Sequence, residues 1–143
     1  MIDQGVTDSF LYELPLGTHN FLTDTFKLAL YTSFADLGSN TAAYVTANEV
    51  ANGSGYTTGG VVLTGATVNI DAIRHVSYIS FDDASWAAAS FTARGGLIYN
   101  QTESNKTVAV LDFGADKNAG GLTFKVTIPA ATSTTALIRL VRG

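Results

Sequence analysis

Cysteine is absent from the 143 residues, which removes disulfides, thiolate nucleophiles and thiolate metal sites together. That fits a chain made in a reducing cytosol. Charge is scarce as well: Asp, Glu, Lys and Arg make up 14% of the chain, where ordinary soluble domains run at about 25%. The surface must therefore be built largely from Thr, Ser, Asn, Gly and Ala. Hydroxyls and amides can be re-paired on burial, whereas ionised groups lose strong hydration, so such a surface favours contact with other protein. Basic residues are few and unclustered, and the net charge is −4, so the phosphate-neutralising footprint of a nucleic-acid binder is missing. No apolar run is long enough to cross a membrane as a helix. The opening Met1-Ile2-Asp3-Gln4-Gly5 has no basic n-region and no apolar stretch after it, and we expect no secretory signal. We therefore expect neither nucleic acid nor membrane among the partners.

What is present is strand-forming sequence. From Ser90 to Gly114, two apolar runs rich in β-branched and aromatic residues flank the polar Gln101-Thr102-Glu103-Ser104-Asn105, which predicts an antiparallel hairpin with a polar tip. On its second arm, strict alternation places Val108 and Val110 on one side and Ala109, Leu111 and Phe113 on the other. Neither side is polar enough for water. The helical arm, the long loop or another subunit must cover the second face, and the low charged fraction favours another subunit.

In chain order, Thr7-Asp8-Ser9 can cap a helix of about two turns with Phe10, Leu11 and Leu14 on one face, stopped by Pro15 and Gly17. We expect residues 1–25 to form an N-terminal arm with this short helix, and residues 26–143 to form the main domain. Strands are predicted over 26–31, 61–70 (weakened by Gly65), 75–81, the two hairpin arms, 122–128 with Leu122, Phe124, Val126 and Ile128 inward, and 136–141. Residues 32–60 are a long loop in which 42–50 can hold a helical turn; loops of that length are usually functional or ordered by a partner. About seven strands spaced by turn signals point to an all-β fold, an antiparallel β-sandwich of Greek-key or jelly-roll type.

Catalytic signatures are lacking. His19 and His75 have no partner at metal or triad spacing, and Asp82-Asp83 are neighbours that a strand would point to opposite faces, a poor arrangement for acid/base work. We expect no enzyme, no cofactor and no metal. Trp86 and the tyrosines, among them Tyr44, Tyr56 and Tyr99, are read as core or protein interface in preference to a sugar-stacking groove. The interface candidates are accordingly Phe10, Leu11, Leu14, Tyr44, Tyr56, Trp86 and Tyr99.

Several stretches resemble a known family: Phe26 to Thr32, Asn48-Glu49-Val50 with Gly55-Tyr56 and Gly59-Gly60, Trp86, Thr92 to Asn100, and Val108 to Gly114. Together they are similar to small virion structural proteins of tailed bacteriophages, over nearly the whole chain from about residue 7. The resemblance implies a non-enzymatic protein located in the virion and made in the host bacterial cytoplasm. Its implied role is capsid decoration or cementing, as a homo-oligomer on the particle in contact with the major capsid protein or other virion proteins. The alternative it leaves is a tail- or fibre-associated module that binds host glycan or another tail protein.

Overall fold

Strands account for 41% of the chain and helix for 4% in a computed structural model that describes residues 1–142. The strands are β1 (Gly5–Val6), β2 (Phe26–Tyr31), β3 (Val61–Val62), β4 (Thr67–Asp71), β5 (Val76–Ser80), β6 (Ala84–Trp86), β7 (Thr92–Asn100), β8 (Lys106–Asn118), β9 (Phe124–Val126) and β10 (Ile138–Val141), with one helix, α1 (Asp8–Glu13). They form three antiparallel sheets, ordered β1-β8-β7-β2-β3, β10-β5-β4 and β6-β9. The fold is therefore all-β, with β7 and β8 as the expected hairpin at the middle of the largest sheet.

The strand expected over 61–70 is two strands. Gly65 has φ +64°, and a Cβ there would lie 2.2 Å from a carboxylate oxygen of Asp82, so the chain turns tightly past that acid and β4 leaves for a different sheet. Residues 42–50 hold no helical turn; Ala43 and Glu49 instead make single bridges to Lys106 and Tyr31. Strand β9 is shorter than expected, and Leu122 lies outside it and is exposed, while Phe124, Val126 and Ile128 are buried. His75 is exposed with φ +58° at the β4–β5 turn.

A bulge changes which residues of β8 share a face. Ile98 pairs with Ala109 but Tyr99 pairs with Thr107, leaving Val108 as the extra residue. A bulged strand puts two successive side chains on one side, so Val108 and Ala109 both join the main core while Val110 faces the opposite way. The expected pairing of Val108 with Val110 is thus overturned by a single unpaired residue.

Both faces of the large sheet are covered, and the chain covers them itself. On one side, Phe26, Leu28, Leu30, Ile98 and Val108 pack with Trp86, Phe91, Phe124, Ile79 and Ile138 from the two smaller sheets and their connections. On the other, Ala29, Tyr31, Leu97, Tyr99 and Val110 are closed over by Ile2, Ala35 and Leu37. The second cover is the N-terminus together with the start of the long loop, where another subunit was favoured on composition.

The N-terminal residues are themselves tied into the large sheet. Strand β1 pairs with β8 through Gly5 and Val110, the Met1 ammonium donates to the Ala35 carbonyl at 2.9 Å, and Phe10 is fully buried. Thr7 does cap α1, its hydroxyl accepting from the Phe10 N–H. The helix is too short to bury three apolar residues on one stripe: Phe10 points inward, Leu14 is half-buried and Leu11 faces solvent.

Candidate interaction surface

Four of the seven interface candidates, Phe10, Tyr56, Trp86 and Tyr99, are at most 4% exposed, and so are not available to a partner on the folded chain. Trp86 stands on β6 opposite Phe124, edge-on to the rings of Phe91 and Phe124. Aromatic burial of this kind yields a large apolar contact area, and here that area is spent inside the core. Leu11 remains as a surface residue, and near it in the chain Tyr12, Leu16 and Leu22 are also exposed.

Tyr44, Tyr56 and Tyr99 are instead brought together around an acid, Glu49, that sequence reading did not single out as a site. The Tyr44 and Tyr56 hydroxyls each donate to one Glu49 oxygen at 2.5 Å, and the Gly59 N–H donates at 2.7 Å. Tyr99 donates to the Gly59 carbonyl and stacks on Tyr44 with ring centroids 4.6 Å apart. Tyr56 also accepts from the Leu30 N–H, so the knot is tied to β2. Next to it, a Cβ on Gly60 would lie 1.8 Å from the Leu28 carbonyl oxygen, so the loop closes on β2 only where a side chain is missing. One carboxylate thus pins the long loop against the sheet.

Burial first, and then the Glu49 carboxylate, hold the phenols of Tyr31, Tyr44, Tyr56 and Tyr99 protonated; Tyr99 is pushed up to about 12 and the other three rise further. For Tyr44 and Tyr56 the hydrogen bond to Glu49 stands directly behind burial among the causes. Each pKa is raised in the folded state, so each contributes stability that is complete below the unfolded value near pH 10 and is lost as pH rises above it. In a spectrophotometric titration, four of the six tyrosines should ionise only as the fold is lost. Glu49→Gln should bring that transition to lower pH. Smooth ionisation of all six without unfolding would contradict the knot.

A second polar cluster ties the N-terminal segment to the hairpin. Asn100 is fully buried; its Oδ1 accepts from the Glu103 N–H, which orients the amide so that Nδ2 donates to Asp24 and to His19 Nδ1. The imidazole then carries its proton on Nε2 and donates it to Glu13 at 2.8 Å. Both ring nitrogens are engaged, and neither faces a nucleophile. Asp83 likewise serves structure: it accepts from the Ile128 N–H at 2.8 Å and pairs with Lys125 at 3.2 Å, and these bonds, the backbone one first, hold its carboxyl below the usual range. Among the described residues no group of three or more His, Asp or Glu is placed to hold a metal ion.

The surface with the strongest capacity for contact lies elsewhere. On the sheet β10-β5-β4, register places Val68, Ile79 and Ile138 in one row and Ile70, Ser77 and Leu140 in the next, on the same face. Ile79 and Ile138 belong to the core, whereas Val68, Ile70 and Leu140 are exposed, as is Ile73 at the turn. The core row therefore runs out into solvent without a covering layer. A groove of about 520 Å³ also opens between β8 and β9, with Leu111, Phe113 and Phe124 as apolar walls and Lys117 and Lys125 among its polar lining. Sequence reading placed Val68 and Ile70 on a strand; their exposure follows from the sheet's having only three short members, which alternation cannot reveal. Comparison of the chain with protein-family models, with curated proteins and with solved structures finds no match in any of the three.

Proposed function

We propose that the protein is a non-enzymatic virion structural protein of a tailed bacteriophage, a capsid decoration or cement protein that stabilises the shell through contacts with the major capsid protein. The observation that carries this reading is a chain that closes its own two-sided core and still presents an uncharged apolar row on an outer sheet. Such a row, with 14% charged residues in the whole chain, is cheap to desolvate against a partner. The resemblance in the β2, β7 and β8 sequences supplies the class of assembly. In this reading the two smaller sheets form one layer opposed to the large sheet, making a Greek-key or jelly-roll sandwich, and Leu11 with its exposed neighbours adds to the docking surface. Engagement of both His19 nitrogens by Glu13 and Asn100 supports the non-enzymatic assignment. Host-glycan recognition through Trp86 and the tyrosines is disfavoured, because stacking on a sugar needs an exposed ring face and Trp86, Tyr56 and Tyr99 are buried.

The test is the amount of this protein in purified particles. A copy number comparable to that of the shell protein is expected, with loss of the protein lowering the temperature at which the shell opens. A handful of copies per particle would place it in the tail or neck, and absence from particles would remove the virion reading altogether.

A further inference from the structure

We infer that the free edge of β4 pairs with the same edge of a second copy, antiparallel across a two-fold axis at Asn69. The inference concerns the isolated chain and does not depend on the virion reading. Strand β4 bonds β5 on one side only and ends its sheet on the other. Backbone groups along an antiparallel strand point alternately to its two sides. The Ile70 N–H donates to the Asn69 side-chain oxygen at 2.8 Å, so it lies on the open side, and the Val68 backbone groups share that side.

The occupant follows from the pattern of the edge. Thr67-Val68-Asn69-Ile70-Asp71 reads polar, apolar, polar, apolar, polar in either direction. Set against itself about Asn69, it places Val68 opposite Ile70 of the second copy twice, each a pair exchanging both backbone bonds. Thr67 then meets Asp71, so no acid faces an acid. Val68 and Ile70, 43% and 68% exposed, cover each other on the face where the core row runs out. The two Asn69 amides meet on the axis, where each can donate to the other once it releases its own Ile70 N–H. Edges that must stay single usually carry Lys, Pro or a bulge; β4 has none of them. The opposite edge, β10, carries Arg139 and is followed by Arg142, so two β10 edges would bring like charges together. The symmetric β4 contact also closes at two copies, whereas β4 on β10 would extend without limit.

The seam is short, below the standard contact of about 1,600 Å², so the dimer should appear as concentration rises. Sedimentation of the full chain over a wide concentration range should show mass rising from monomer and levelling at twice that value. Ile70→Pro, which removes an outward donor without touching the β5 ladder, should hold it at monomer mass. Because the chain has no cysteine, Asn69→Cys gives a second readout that does not depend on the proline variant folding. Residues opposed at such a non-bonded site have Cα atoms about 4.5 Å apart, within disulfide reach. Mild oxidation should therefore link Asn69→Cys into dimers faster than Ile73→Cys at the more exposed turn. A monomer at every concentration, growth beyond two copies, or equal cross-linking at 69 and 73 would each overturn the inference.

Discussion

Val110→Asp and Val108→Asp are each expected to unfold the isolated chain, although the two side chains lie on opposite faces of β8. Both valines are fully buried, one against Ile2 and Leu37 and the other in the main core. Burying a carboxyl raises its pKa by as much as about 3–5 units, and each unit is about 1.4 kcal/mol. The penalty is on the order of 5 kcal/mol, comparable with the whole stability of a domain at about 5–15 kcal/mol. Circular dichroism and thermal melts should show loss of cooperative folding in both variants, while Ala115→Asp at an exposed position of the same strand melts like the parent. A folded Val110→Asp would mean that the N-terminus and the loop do not close that face in solution.

Removal of residues 1–20 should have an effect of similar size. The deletion takes away Phe10, Ile2 and the β1 partner of β8 together, along with the His19 contact to Asn100. Phe→Ala in a core typically costs about 3–5 kcal/mol, so Phe10→Ala alone should lower the melting temperature by roughly 10–20 °C. The full deletion should leave no cooperative transition. A truncated chain that still melted sharply as a β-rich domain would mean that residues 1–25 are an arm the rest of the fold does not need.

What could be read in advance was local. The hairpin, the strands at 26–31 and 136–141 (the latter observed as Ile138–Val141), and the Thr7 cap depend on alternation, turn composition and one side-chain oxygen, all of which sit within a few residues of their effect. Val108 shows where such reading ends. A one-residue bulge reverses the face of everything after it, and nothing in Thr107-Val108-Ala109-Val110 marks which residue is extra. Cover for the second face was inferred from composition, which averages over the chain and cannot say that Ile2 and Leu37 will meet Val110. The Glu49 knot was hidden for a related reason. Tyr44, Tyr56 and Tyr99 stand at no regular spacing from the acid, and their convergence is produced by the loop's path across β2. In the 61–70 segment Gly65 marks a weak point by itself, but the acid that packs against the turn, Asp82, lies seventeen positions away.

The pairing of β1 with β8 and of β2 with β7 also bears on how the chain is made. Gly5 waits for Val110, and Phe26 waits for Asn100, so on the ribosome the first strands emerge long before their partners exist. Loops of that span must close before any contact rewards them, which places folding among the slow, non-local topologies. During the wait, Phe26-Lys27-Leu28-Ala29-Leu30-Tyr31 is an apolar strand with both edges open, the kind of segment that aggregates in nascent chains. The architecture that lets the finished protein cover itself without a partner leaves its first strands uncovered until synthesis is well past its midpoint.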